Sequence, residues 1–171
     1  VLHGETSIEI HRPLPVEGEL IGETKFGPFF DKGADKGTVA YQTREIRDAD
    51  GNLLVTVRNG SFLRGDGGQG GSSEPQPRPR PLPDRHADEG ITLTTAANQA
   101  LLYRLSGDWN PLHADPGFAK AFGFDKPILH GLCSFGFATR HVAQAFAPGG
   151  DPSFVKSIRA RFASSVLPGA T

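Results

Sequence analysis

Hydrophobic and polar residues alternate in the first part of the chain, which predicts strands of a half-exposed sheet. Residues 7–11 place Ile8 and Ile10 on one side of a strand that ends before Pro13. Residues 16–22 predict a second, irregular or bulged strand. Residues 27–37 are rich in glycine and charge and predict an exposed loop.

The clearest strand signal is a hairpin. Residues 38–46 are rich in β-forming side chains, residues 48–52 predict a turn, and residues 53–58 return as a second strand that residues 60–64 extend. Near the end of the chain, residues 157–162 alternate again. There Ile158, Ala160 and Phe162 are expected on the inward side.

Further along the chain, apolar residues recur every three or four positions, as in a helix, instead of at every second position. A helix over residues 96–105 is predicted, capped by Thr94 or Thr95 and ended by Gly107. Its apolar positions are predicted to share one face; they are Ala97, Leu101, Leu102 and Leu105. This helix should deliver Asp108 at its end in an anchored position.

Two further helices are predicted. Asp115 and Pro116 are a typical cap and first residue for a short helix over residues 117–122. A longer apolar helix is predicted over Gly131–Phe146. The residues expected on its buried face are Leu132, Phe135, Thr139, Val142 and Phe146.

A glycine- and proline-rich segment separates the strands from the helices. Residues 65–84 carry glycine and serine first and then proline at alternate positions from 75 to 83. This composition predicts a polyproline II linker or a long surface crossover that does not order itself. A proline ligand for an adaptor domain is the alternative, supported by Arg78 and Arg80. The predicted domains are 1–64, a linker 65–90, and 91–171.

The chain contains a weak internal repeat. The first strand continues into Leu14, Pro15 and Gly18, and the last continues into Leu167, Pro168 and Gly169. This spacing suggests two copies of one domain, the first incomplete and the second truncated at its last strands. We therefore expect residues to be missing at both ends.

Composition narrows the classes of function. The chain has 171 residues, is 37% hydrophobic and has a formal net charge of −1. This charge gives no general attraction to nucleic acid or membranes, and no apolar run approaches the ~20 residues of a membrane span. Cys133 is the only cysteine, which excludes an internal disulfide and fits a reducing compartment.

The densest chemistry lies in residues 103–113. Asp108 and Asn110 lie between Gly107 and Pro111, and His113 follows two residues after Pro111. Because imidazole has a pKa near 6.5, His113 with Asp108 offers an acid and a base that can converge on one water. Taken singly, each residue is more commonly a turn or surface residue. Together they predict acid–base chemistry.

Gly131, at the start of the long helix, can complete such a site. Its N–H has no partner within the helix, and the absence of a side chain lets a carbonyl oxygen approach. Cys133 is predicted to pack in the core. His113, His130 and His141 do not have zinc spacing. Arg159 and Arg161 are predicted on a solvated face, with phosphate contact as the alternative.

Residues 103–113, followed by residues 127–133, resemble the signature of the type 2 (R-specific) enoyl-CoA hydratases of the MaoC-like dehydratase family. Residues 3–15 resemble the non-catalytic first repeat of the double form. The resemblance implies an α+β hot-dog fold, in which an antiparallel sheet wraps a long helix. It implies two tandem repeats, the first incomplete.

The resemblance also implies a function: reversible hydration of trans-2-enoyl-CoA to (3R)-3-hydroxyacyl-CoA in fatty-acid metabolism. The implied catalytic residues are Asp108, His113, Asn110 and Gly131. The predicted substrate-binding residues are His130, Leu132 and Trp109. No cofactor or metal is expected, because conjugate addition of water needs neither. Coenzyme A is part of the substrate.

We expect a homodimer in the cytoplasm of a bacterium or the peroxisome of a eukaryote, with an acyl-CoA substrate and without nucleic acid or membrane partners. One alternative is a dehydratase subunit for carrier- or sterol-linked acyl thioesters. Another is a non-catalytic hot-dog module that binds acyl thioesters.

Overall fold

The computed structural model describes residues 1–171, which form two compact units. One contains residues 1–85 and 153–162, and the other contains residues 86–152 and 163–171. The strands are β1 (Leu2–Ile10), β2 (Leu20–Asp31), β3 (Thr38–Asp48), β4 (Leu53–Leu63) and β5 (Ser157–Arg161). The helices are α1 (Gln99–Arg104), α2 (Pro116–Ala121) and α3 (Gly131–Phe146), with 3₁₀ turns at Pro111–His113, Pro148–Gly150 and Pro152–Phe154.

All five strands form one antiparallel sheet in the order β2-β3-β4-β1-β5. The predicted hairpin is confirmed as β3 and β4. Its turn is held by the Asp48 carboxylate, which accepts hydrogen bonds from the N–H groups of Asp50 at 3.1 Å and Asn52 at 2.8 Å. An aspartate that bonds the backbone two residues on is a turn signal that sequence can show.

The two strands that suggested the internal repeat pair with each other. β1 and β5 run antiparallel, with Ile8 opposite Ile158 and Thr6 opposite Ala160. The predicted strand over residues 157–162 is thereby confirmed, and its Ile158 and Ala160 are half-buried as the alternation indicated. The domain boundaries and the expected missing residues stay predictions.

The loop predicted over residues 27–37 is wrong in its first part, and so is the strand predicted over residues 16–22. β2 starts only at Leu20 and runs through Gly27 and Pro28 to Asp31, paired with β3. The pairing shifts between Phe26 and Phe29. This bulge accommodates a proline, which has no N–H to donate to a sheet. Hydrogen bonding of β2 to β3 therefore outweighed the preference of glycine and proline in residues 27 and 28 for a loop.

The glycine-rich half of the predicted linker is ordered on the sheet. The Asp31 carboxylate accepts hydrogen bonds from the N–H groups of Gly68 at 2.8 Å and Gly70 at 2.6 Å. Ser72 N–H donates to the Phe29 carbonyl at 2.7 Å. Added side chains would collide here: a Cβ on Gly71 would lie 2.6 Å from the Phe29 oxygen. The prediction that this segment does not order itself missed such hydrogen bonds, since it considered only apolar burial.

In the helical unit, α1 is shorter than predicted. It begins after Asn98, and neither Thr94 nor Thr95 caps it. The N–H and hydroxyl of Thr95 instead donate to the carbonyl of Ala170, and the Thr95 hydroxyl accepts from Gly169 N–H at 3.0 Å. Contacts with the end of the chain thus replaced the predicted cap.

The predicted buried faces of α1 and α3 are also wrong in part. On α1 only Ala100 is buried, while its predicted leucines are exposed. On α3 Phe135 is buried as predicted, but Leu132, Val142 and Phe146 are exposed. The residues buried beside Phe135 are Cys133 and Ala143. The period marks the side chains that share one face, but burial depends on which elements pack against that face.

A small core lies where α1 and α3 meet. Ala100, Leu129 and Cys133 are buried together, with Tyr103 and Phe137 packed against them. The predicted short helix is confirmed as α2, which Asp115 caps by accepting from Gly117 N–H at 2.7 Å. No helix is long and apolar enough to cross a membrane.

Candidate active site

Asp108 lies in the turn that follows α1. Gly107 adopts φ 108°, a conformation that side chains rarely allow, and so permits the chain to leave the helix there. The Asp108 carboxylate is 47% exposed and accepts a hydrogen bond from Asn110 N–H at 3.2 Å. This local bond fixes the carboxylate while one side stays open to a reactant.

Asn110 caps the 3₁₀ turn that carries His113. Its side-chain oxygen accepts from Leu112 N–H at 3.1 Å, and the buried Leu112 anchors the turn. The Asn110 side-chain NH₂ group is then available as a donor. This placement agrees with a residue that orients the loop and a water.

His113 is oriented by a main-chain contact. Its Nδ1 lies 2.7 Å from the carbonyl oxygen of Ile128. Because a carbonyl only accepts, Nδ1 carries the proton, and Nε2 of the neutral ring bears the lone pair. His113 is therefore prepared to accept a proton at Nε2.

His130 lies directly against this residue. The two imidazoles stack with ring centroids 3.7 Å apart and an interplanar angle of 29°. The Nε2 atom of His130 is 3.3 Å from the main-chain oxygen of Asp108 and 4.0 Å from its carboxylate. The residue is 1% exposed. Burial, and then the neighbouring His113, lower the pKa of His130, which favours its neutral form.

Gly131 is the first residue of α3, immediately after His130. A helix supplies no acceptor for the N–H at this position, and its dipole favours negative charge there. The residue is half-buried. An N–H of this kind can receive the oxygen of a thioester as charge develops on it.

Asp108, His113 and His130 each offer one ligand atom, and these three atoms lie within 4.8 Å of one another. Such a group can hold a cation as well as move protons. Sequence spacing did not indicate it, since the ligands come from two separate segments. His141 is not part of the group.

The three residues predicted to bind substrate have different surroundings. Trp109 and Leu132 are exposed, and the guanidinium of Arg104 lies 5.0 Å from the centre of the Trp109 ring. His130, in contrast, is buried. The substrate-binding and catalytic assignments stay predictions.

The other candidates, Cys133 and the two arginines of β5, have partners of their own. Cys133 is buried as predicted, and burial raises the pKa of its thiol. Arg159 contacts both carboxylate oxygens of Glu5 at 3.3 Å, and Arg161 lies 3.8 Å from one of them. A cavity of about 260 Å³ in the sheet unit is lined by Glu5, Tyr41 and Arg159, but by none of the residues predicted to act in catalysis or substrate binding.

Sequence reasoning missed two contacts within the candidate site. The Ile128 carbonyl orients His113, and the Tyr103 ring lies 4.7 Å from the ring of His130. The carbonyl has no sequence signal because every residue carries one. A tyrosine is also common in protein cores, so the residue type of Tyr103 alone does not point to His130.

Comparison with known families covers both parts of the chain. The MaoC like domain matches residues 80–171, more than half of the sequence, and the MFE-2 hydratase 2 N-terminal domain matches residues 1–65. The chain belongs to the MaoC-like family. The predicted family resemblance is thereby confirmed.

Named relatives agree with membership in the MaoC-like family. The chain is 47% identical over 173 residues to the peroxisomal multifunctional enzyme type 2 of Mus musculus, covering 99% of this chain and 23% of that protein. It is 43% identical over 180 residues to the peroxisomal enoyl-CoA hydratase 2 of Arabidopsis thaliana, covering 100% and 58%. The chain thus spans less than two thirds of these relatives.

Solved structures confirm the fold. A MaoC-like dehydratase from Phytophthora capsici superposes with a TM-score of 0.88 at 46% identity, covering 98% of this chain and 58% of that chain. A Mycobacterium tuberculosis protein described as a double hot-dog fold gives a TM-score of 0.58 at 15% identity, covering 98% and 59%, a likeness of fold alone. The predicted α+β hot-dog class is therefore confirmed.

Proposed function

We propose that the protein hydrates trans-2-enoyl-CoA reversibly to (3R)-3-hydroxyacyl-CoA, as a hydro-lyase of fatty-acid metabolism. The observation that carries the proposal is the convergence of Asp108 and His113 in a MaoC-like chain, where one ligand atom of each lies within 4.8 Å of the other. The name of the Arabidopsis relative, enoyl-CoA hydratase 2, supports the same reaction.

The groups present match the needs of a conjugate addition. Water adds its oxygen to C3 of the enoyl group, and a proton is delivered to C2 on the same face. Asp108 and His113 move these protons, and a positioned pair of this kind typically contributes about 10²–10⁴-fold to the rate. Asn110 orients the water. The N–H of Gly131 stabilises the enolate-like thioester oxygen.

The remaining predictions belong to the same proposal. Trp109 and Leu132 are exposed and follow Asp108 and Gly131 directly in the sequence, and we expect them to line the path of the acyl thioester. The reaction needs no cofactor or metal, because no electrons are transferred and the oxyanion donor is a backbone N–H. We expect a homodimer, which light scattering would test. We expect a peroxisomal location in a eukaryote, as in the names of both relatives, or a cytoplasmic one in a bacterium.

The test is loss of the conjugated enoyl absorbance when the full-length protein is mixed with trans-2-enoyl-CoA of several chain lengths. Product configuration follows from oxidation by dehydrogenases specific for (3R)- or (3S)-3-hydroxyacyl-CoA. Product oxidised only by the (3R)-specific enzyme supports the proposal. No hydration at any chain length, by a folded protein, overturns it in favour of a binding module.

The same assay separates the dehydratase alternative. Enoyl groups on an acyl carrier protein and on a sterol side chain are compared with the coenzyme A substrates at equal concentration. A clear preference for either one in kcat/KM overturns the proposed substrate class but keeps the reaction.

A further inference from the structure

His130 is the most buried residue of the acid–base group, yet it contacts both partners. Its ring stacks on His113, and its Nε2 atom approaches the main chain of Asp108, 22 residues earlier. The Tyr103 ring also packs against it, with centroids 4.7 Å apart. Because the residue is 1% exposed, its ring offers almost no surface to a substrate.

The hydrogen-bonding partners define the tautomer of His130. Nε2 points at the carbonyl and carboxylate oxygens of Asp108, which are both acceptors, so Nε2 carries the proton. Nδ1 is then an acceptor, and it is buried without a hydrogen-bond partner. A buried acceptor without a partner costs stability. A residue kept only for packing would be better replaced by an apolar ring.

We propose that His130 is a positioning residue: its neutral ring donates Nε2–H to the Asp108 carbonyl and supports His113 by stacking, which holds the acid–base pair around one water. The inference rests on the proposed hydration. The hydrogen bond from Nε2–H fixes the turn that presents the Asp108 carboxylate. The stacked ring of His130 limits the rotation of the His113 imidazole, which is also held by its hydrogen bond to the Ile128 carbonyl. His130 acts through these two residues and does not touch the reacting atoms.

The test compares three replacements of His130 in the full-length protein. His130→Phe keeps a ring and removes the donor, His130→Gln keeps a donor near the Nε2 position, and His130→Ala removes both. We expect kcat to fall about 10- to 100-fold in the Phe and Ala variants, with KM little changed, since small displacements of catalytic groups cost this much. His130→Gln should recover most of the loss from the missing donor. His141→Phe, within α3, is the matched control and should retain kcat.

A double-mutant cycle separates positioning from general damage to the fold. If His130 acts through Asp108, adding His130→Phe to Asp108→Asn should cost at most about threefold more, since residues acting as a unit are not additive. A full, additive loss in that background overturns the proposal. So does unchanged kcat in His130→Phe, or an effect confined to KM.

A second measurement does not depend on activity or on a variant that folds. Long-range ¹H–¹⁵N correlation spectra of the wild-type protein at neutral pH should show His130 as the Nε2–H tautomer. An Nδ1–H tautomer or an imidazolium overturns the inference. If the wild type hydrates no enoyl thioester, the proposed function fails; if it does and Asp108→Asn is inactive while His130→Phe is normal, only the role of His130 fails.

Discussion

Nδ1 of His113 donates a hydrogen bond of 2.7 Å to the carbonyl oxygen of Ile128, 15 residues further along the chain. This bond decides which nitrogen of His113 can act as a base. It also ties the Asp108–His113 loop to the segment that enters α3, where His130 and Gly131 follow. The two halves of the site are therefore held together by the main chain as well as by side chains.

Removing either member of the pair should abolish most activity. We expect Asp108→Asn and His113→Gln each to lower kcat by about 10²–10⁴-fold, because each removes one proton-transferring group while keeping similar size. Steady-state hydration of enoyl-CoA measures the loss, and circular dichroism confirms folding. Near wild-type kcat in either folded variant would show that the assignment is wrong.

The N–H of Gly131 can be removed without changing the helix. Proline is tolerated at the first helical position, and His130 has φ −59° and ψ 132°, which suit a residue before proline. We expect Gly131→Pro to lower kcat by about 10²–10³-fold through loss of the oxyanion donor. Gly131→Ala keeps the N–H and is the control for added bulk. Equal losses in both variants would argue for a steric effect instead.

Asp31 should make the docking of the glycine-rich segment sensitive to pH. Hydrogen bonds from the N–H groups of Gly68, Gly33 and Gly70 lower the pKa of its carboxyl below the usual 3.8. A lowered pKa means that the stabilisation is present above pH 3.8 and is lost as the pH falls through the folded value. Protease protection of residues 65–72 should therefore differ most between wild type and Asp31→Asn at neutral pH and converge in acid.

The matched control for this prediction is Asp35→Asn, an exposed aspartate in the loop after β2. We expect its protection to follow the wild type at every pH. If Asp31→Asn also follows the wild type at neutral pH, the carboxylate does not hold the segment.

Cys133 should react slowly with thiol reagents. It is buried against Ala100 and Leu129, and burial raises the pKa of its thiol, so little thiolate is present or accessible at neutral pH. Titration with a chromogenic disulfide should give one rapid equivalent only after denaturation. Fast reaction of the native protein would place the thiol in an open site.

Activity should survive chelation, although Asp108, His113 and His130 can together hold a cation. The proposed addition needs only proton transfer and an oxyanion donor, which the chain provides. Dialysis against a chelator followed by the hydration assay measures this. Activity that is lost and then restored by Zn²⁺ or another divalent ion would contradict the prediction.

Much of the candidate site was visible in the sequence because it is local. Asp108, Asn110 and His113 lie within six residues, and short-range hydrogen bonds shape their loop. The Asp48 turn and the Asp115 cap were predicted for the same reason. The faces of α1 and α3 were not, because burial depends on which elements pack together, and the periodicity of a helix does not indicate its partner.

The sequence by itself determined the family, the strand hairpin and the residues of the acid–base loop, since local periodicity and a long motif encode them. Only the tertiary structure decided that His130 stacks on His113, that the Ile128 carbonyl orients His113, and that Asp31 binds a segment 37 to 39 residues away. The physical reason is that these contacts use main-chain groups or join distant segments. Such groups are present at every residue, so composition and spacing do not reveal which of them will meet.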